Sequence, residues 1–279
     1  RKIHIAIKFL YLGWDYQGYV VQEDTSATVE HYLMSALVKT RLIESRETSN
    51  YHRCGRTDKG VTAFSQVISV TVRAADEGKS PLDYCKMLNR VLPEDVRVVA
   101  WAPVPPEFSA RFDCKLRSYR YFFPKGDLNI EIMHEAAQHL VGTHDFRNFC
   151  KMDVANGVTA FIRSVSSSRV SFVNIGAQKC TGYQMCELHL EGQSFLWHQV
   201  RCIASVLITV GQGLEKPTIV QELLNVEKYP RKPQYPLANH IGLNLFSCEF
   251  DSIAWIEDMN EVKNVIETLQ RIWATNAIK

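Results

Sequence analysis

Several signatures that settle a protein's class quickly are missing from this chain. Its 279 residues hold no stretch approaching the ~20 apolar residues that a membrane helix needs. The opening Arg1-Lys2-Ile3-His4 lacks the apolar core of a signal peptide. The expectation is therefore a soluble protein with no membrane partner. The eight cysteines, at 54, 85, 114, 150, 180, 186, 202 and 248, include no Cys-x-x-Cys pair and no alternation with His. That scatter argues against a zinc site and against a disulfide framework, and for reduced intracellular thiols. Charge bias is also absent: 32 basic residues face 30 acidic ones, for a net charge of +2. Any nucleic-acid surface must then come from local clustering. What the chain does have is apolar content, 46%, which excludes disorder as the default and suffices for one large domain or two fused smaller ones.

Chemistry is concentrated in Arg53-Cys54-Gly55-Arg56-Thr57-Asp58-Lys59-Gly60-Val61. Gly55 and Gly60 bracket opposite charges, and such glycines let the backbone take positive φ or approach another group closely. Arg56 beside Asp58 favours the ionised carboxylate, ready as nucleophile or base. The same residues also read as an ordinary type I turn closed by Gly60.

Around this loop the chain reads as two sheet-and-helix halves. Ile3, Ile5, Ile7, Phe9 and Tyr11 alternate with His4, Ala6, Lys8 and Leu10, the period of a half-buried strand. Thr28 caps a helix from Val29 to about Leu42 with a stripe of Val29, Leu33, Met34, Leu37 and Val38. Gln66–Val72 is a strand, so Asp58 lies on a loop that feeds a sheet. Ser80-Pro81 starts a helix running to about Val91, and Val96, Val98 and Val99 begin another strand. In Lys115–Phe123 a strand puts Arg117, Tyr119, Tyr121 and Phe123 on one face. Basic and aromatic residues interleaved in this way suit RNA as well as they suit a packed strand with a basic rim.

The second half repeats the layout in outline. Ile130–Val141 is a helix, and Gly142–Phe149 is a polar-aromatic loop in which His144 and Asp145 imitate part of a hydrolase triad or serve as structural residues. Arg163–Val173 and Tyr183–Glu191 are strands, the latter turning Cys186, Leu188 and Leu190 inward. Phe195–Arg201 opens an apolar helix that ends at Gly211-Gln212-Gly213, with His198 and Arg201 three residues apart on nearly one face. A buried Arg201 requires a carboxylate, and Asp58 is the candidate. Thr218–Asn225 is a short helix, Gly242–Phe250 the last strand, and about Met259–Trp273 a terminal helix whose apolar face covers the domain or mediates self-association.

Four motifs occur in order: Gly55–Val61, Ala110-Arg111, Arg117-Ser118-Tyr119-Arg120-Tyr121, and Phe195–Arg201. Through them the sequence resembles the TruA family of tRNA pseudouridine synthases over residues 3 to about 250. Tyr11-Leu12-Gly13-Trp14, Asn50–Cys54, Gly142–Asn148 and Cys150–Gly157 are most similar to the eukaryotic branch that modifies uridines 38 and 39 of the anticodon arm. Gly18–Gln22, where bacterial members carry a Trp before a Gln, and the short connection from Ala74 to Ser80 depart from the pattern.

The resemblance implies an α+β fold of two α/β halves sharing an extended antiparallel sheet, with helices on the outer face and a basic cleft between the halves. The corresponding divisions are 1–123, 124–250 and a helical extension at 251–279. It implies that Asp58 is the nucleophile, that Arg56 and Arg201 order the site, and that Tyr119 stacks on the target uracil. Arg111, Arg117, His198 and Leu243 join Tyr119 in holding substrate. It further implies a tRNA substrate, no cofactor and no metal, a homodimer, and residence in nucleus and cytoplasm. Three other readings stand beside it: a non-catalytic RNA-binding protein, a hydrolase built on His144 and Asp145, and a synthase acting at other tRNA positions.

Overall fold

A computed structural model describes residues 1–152, 157–173 and 184–279. Among them ten strands and six helices form. In chain order they are β1 (Lys2–Tyr11), α1 (Val29–Lys39), β2 (His52–Arg53), β3 (Thr62–Arg73), α2 (Tyr84–Asn89) and β4 (Val96–Pro103). There follow β5 (Cys114–Pro124), α3 (Ile130–Gln138), β6 (Gly142–Asp145), β7 (Ile162–Phe172) and β8 (Met185–Gly192). The chain ends with α4 (Gln199–Gly211), α5 (Ile219–Leu224), β9 (Leu243–Phe250), β10 (Ile256–Glu257) and α6 (Met259–Ile278). Two compact units result, one of residues 1–115 with 248–279 and the other of residues 116–247, so the boundaries fall inside β5 and β9. No described helix is long and apolar enough to cross a membrane. The motif residues Asp153 to Asn156 and the expected strand start at Tyr183 lie outside the described residues.

In the first unit the strand order is β10-β4-β1-β3, with β2 on β3, and every pairing is antiparallel. The alternation in β1 predicts one wet face, but His4, Ala6 and Leu10 are as buried as Ile5, Ile7 and Phe9. β1 is flanked by β3 and β4, and both of its faces are covered. His4 tolerates this because its ring nitrogens meet Thr71 Oγ1 and the Phe108 carbonyl, each at 2.9 Å.

Helix α1 starts where expected, with the Thr28 hydroxyl accepting from His31 N. It stops at Lys39, short of Leu42, because the Thr40 hydroxyl returns to the Ala36 and Leu37 carbonyls and Arg41 turns to φ 53°. Its buried side is Val29, Glu30, Leu33, Ala36 and Leu37, while Val38, expected inside, is exposed. Helix α2 begins at Tyr84, not at Ser80-Pro81, because the Asp83 carboxylate accepts from Lys86 N at 3.0 Å and caps there.

The second unit has the order β5-β8-β7-β6, again antiparallel. Tyr119 lies opposite Leu190, Tyr121 opposite Leu188, and Phe123 opposite Cys186, so the predicted inward face of β8 meets the aromatic face of β5. Gly142–Asp145, expected in a loop, is the edge strand β6 paired to β7. Helix α3 ends at Gln138, earlier than Val141, and α6 continues past Trp273 to Ile278. Helix α4 starts four residues later than Phe195. His198 sits at φ 60°, which a right-handed helix cannot contain, and Gln199 turns its side chain back to accept from Leu196 N at 2.7 Å. His198 and Arg201 are therefore not partners on one helical face: His198 precedes the helix, and Arg201 lies in its first turn.

Candidate active site

The Asp58 loop leaves β2 and is fixed mainly through its backbone. Cys54 N donates to the Val67 carbonyl at 2.8 Å. Gln66 comes next: its fully buried amide accepts from Gly55 N at 3.0 Å and donates to the Gly55 carbonyl at 3.1 Å, satisfying both polar groups of one residue. The amide also reaches the Tyr11 hydroxyl at 3.5 Å. Tyr11, itself buried, shares a 2.7 Å hydrogen bond with Thr57 Oγ1. Burial pushes the Tyr11 phenol well up, so it stays neutral as a hydrogen-bonding group.

The far side of the loop is held by the segment after β1. Tyr19 N donates to the Thr57 carbonyl at 3.0 Å, and Gly60 N donates to the Tyr16 carbonyl at 3.1 Å. Gly13 is required because a Cβ there would stand 1.9 Å from the Val61 carbonyl oxygen. Val61 N returns to the Asp58 carbonyl at 3.1 Å with Gly60 at φ 75°. A type I turn needs negative φ at that third position, so the Asp58–Val61 turn is of the type II kind, which Gly favours. Asp58 ends half-buried, Thr57 buried, and Arg56 and Lys59 exposed.

Beneath the loop lies a carboxylate that sequence reasoning passed over. Glu30 is fully buried; it receives Arg53 Nη1 at 2.7 Å and Val21 N at 3.0 Å, with Arg46 at 3.6 Å. Tyr19 and Tyr51 share a 2.7 Å hydroxyl contact beside it, and burial, reinforced by the Glu30 charge, pushes both phenols far up. A polar residue inside an amphipathic helix carries no sign of which distant arginine it will meet. Only its position next to Val29 on the buried side was readable. Gln66 was equally hidden, since it opens an apolar run and looks like the solvent residue of a strand end. Arg111, also in this unit, is exposed, with its guanidinium 5.1 Å from the Phe112 ring.

The other named residues belong to the second unit. Tyr119 on β5 is half-buried and meets the Phe195 ring edge-on at 5.1 Å. Arg117, two residues before it and buried, donates to the Gln193 carbonyl. Arg201 Nε donates to the Ala238 carbonyl at 2.8 Å. Arg201 also lies close enough to Tyr121 to oppose the upward push that burial gives that phenol. The His198 ring lies 4.9 Å from that of Trp197, over which Lys151 sits at 4.6 Å. Leu243 is buried at the start of β9.

The hydrolase reading fails on geometry. Both oxygens of Asp145 are taken by Arg147, at 2.6 to 3.1 Å, and this pairing holds the carboxyl below its ordinary range. His144 Nε2 meets the Val141 carbonyl at 3.0 Å rather than Asp145. His144 and Asp145, both in β6, make separate local contacts and do not form a relay.

One unit thus carries an acid loop clamped through its backbone, and the other an aromatic and basic strand. The family described as tRNA pseudouridine synthase matches residues 136–251. The tRNA pseudouridine synthase A of Methanosarcina barkeri is 32% identical over 96% of this chain and 93% of its own. The human tRNA pseudouridine(38/39) synthase is 50% identical over 99% of this chain, and the Saccharomyces cerevisiae protein of the same name 43% over 91%. The chain belongs to the TruA family of tRNA pseudouridine synthases. It spans 61% of the length of the human relative and 59% of the yeast one.

Proposed function

We propose that the protein isomerises uridine to pseudouridine in the anticodon arm of tRNA, at positions 38 and 39, with Asp58 as nucleophile. The observation that carries this reading is the Asp58 loop, whose shape is set by Gln66, Tyr11, Tyr16 and Tyr19 through backbone and Thr57 contacts. A carboxylate so placed can be held against a sugar carbon without reorganising its support. In the reaction the N1–C1′ bond breaks, the uracil turns, and a C5–C1′ bond forms. The C5 proton goes to water and N1 takes one up, so no electrons are exchanged and no cofactor is needed. Asp58 either adds to C1′ or takes a proton from the sugar.

Tyr119, braced by Phe195, stacks on the detached uracil, and Arg56 and Arg201 order the charges around Asp58. Arg111, Arg117, His198 and Leu243 contact the RNA. The target base leaves its stack first, as enzymes acting on bases require. The named substrate of the human and yeast relatives supports the choice of positions. In the same reading the protein is a homodimer that works in nucleus and cytoplasm. Met259, Ile266 and Trp273, exposed at seven-residue spacing on α6, support the self-association, and sedimentation of the purified chain tests it.

The deciding experiment uses anticodon-arm tRNA carrying tritium at uridine C5, because formation of the carbon glycoside releases it. Release is expected from wild type and not from Asp58→Asn. Binding without release from a competent substrate returns the protein to the non-catalytic RNA-binding class.

A further inference from the structure

Three of the eight cysteines that looked scattered in the sequence converge at one point of the first unit. The Sγ atoms of Cys54, Cys114 and Cys248 all lie within 4.8 Å of one another, and all three residues are buried, at 5%, 1% and 7% exposure. Cys54 stands four residues before Asp58, Cys114 opens β5, and Cys248 is in β9. We propose that Cys54, Cys114 and Cys248 form a structural binding site for a thiophilic d10 cation, zinc, that fastens the root of the Asp58 loop to two distant segments of the chain.

Geometry favours a cation over a disulfide. Zinc–sulfur bonds of about 2.3 Å in a near-trigonal or tetrahedral arrangement place the sulfurs roughly 3.8 to 4.0 Å apart, so the three need to close by no more than about 1 Å. A disulfide needs about 2.05 Å between two sulfurs and leaves the third with no role. The ligand set also fits, since three soft sulfurs with no carboxylate among them select zinc over magnesium or calcium.

Binding is a proton exchange without redox change: three S–H bonds lose their protons to solvent as three metal–sulfur bonds form, and a light-atom ligand takes the fourth position. Three thiolates around a divalent cation leave one net negative charge. Because each thiol must lose its proton to bind, zinc affinity falls as pH falls. A cross-link between segments so far apart in sequence restricts the unfolded chain, and the melting temperature should rise with zinc.

The test uses the purified full chain under reducing conditions with added zinc alone. One zinc per chain is expected after desalting, with X-ray absorption at the zinc edge showing three sulfur neighbours at about 2.3 Å. Cys248→Ala should lose more than nine-tenths of the metal, whereas Cys186→Ala, which removes a buried thiol from the other unit, should keep it. No retained zinc in the wild type, nitrogen and oxygen neighbours in place of sulfur, or full retention in Cys248→Ala would each overturn the proposal. The wild-type absorption measurement decides the matter even if Cys248→Ala does not fold.

Discussion

The Asp58 and Asp145 loops contain the same ingredients, an acid with arginine close by, and use them in opposite ways. Around Asp145 the carboxylate is itself the fastening, with Arg147 bound through both oxygens. Around Asp58 a buried amide, a buried phenol and four backbone contacts fasten the loop. Where a carboxylate holds its loop together, replacing it is a structural event. Where a buried amide, a buried phenol and backbone groups also fasten a loop, its shape depends less on any one carboxylate, and such a support suits a site that does chemistry.

The largest expected effect tests this contrast directly. Asp58→Asn should lower pseudouridine formation by on the order of 10⁴-fold or more in a single-turnover assay, with the melting temperature and tRNA affinity nearly unchanged. A melting temperature that falls with the activity would place Asp58 in the same structural class as Asp145. Next comes Tyr119. Its ring is worth roughly 1 to 3 kcal/mol if stacking is its task, so Tyr119→Ala should lose about 5- to 150-fold while Tyr119→Phe retains binding and turns over slowly. Full wild-type rates in Tyr119→Ala would remove that residue from the site.

The scaffold itself is probed by Gln66→Leu, which keeps the volume and strands the Gly55 N–H and carbonyl. A loss of about 1 to 3 kcal/mol in urea unfolding is expected for each buried group left unsatisfied, with activity falling alongside it. Asp145→Asn is the matched control: it should lower the melting temperature less than Gln66→Leu does and leave pseudouridine formation at the wild-type level.

The smallest effect is a pH dependence carried by one histidine in each unit. Burial pushes both His4 and His189 below their ordinary pKa, and in the case of His189 the Glu191 charge opposes the push. Each is thus neutral in the folded protein while the unfolded chain takes up a proton below about pH 6.5. The contribution of these residues is complete above that pH. It should be lost as pH falls from 7 towards 5, by at most about 1.4 kcal/mol per unit for each group. Urea unfolding at pH 7.5 and 5.5 measures it, and a stability that rises on acidification would contradict the assignment.

Much of the fold was legible because its signal is local. The alternation in β1, the apolar pairs on β8, the Thr28 cap and the glycines of the Asp58 loop each express a rule that acts over a few residues. Helix ends were less legible, since they were decided by competing local bonds: the Thr40 hydroxyl cut α1 short, Asp83 outbid Ser80, and a left-handed His198 delayed α4. The motif residues that carry the family resemblance were found in the sequence because they sit together in short runs.

What only the tertiary structure decided is everything that depends on which strand lies beside which. Period-2 alternation could not show that β1 is covered on both faces, because its neighbours β3 and β4 arrive from residues far down the chain. Nothing near Glu30 announced Arg53 as its partner, nothing near Gln66 announced Gly55, and no spacing rule connects Cys54 with Cys114 and Cys248. The sequence by itself determined most of the strands, the Thr28 cap and the glycine-bracketed loop that carries Asp58. Folding determined the company those residues keep, because a buried polar or sulfur group takes its partner from whatever the sheet brings within hydrogen-bonding reach.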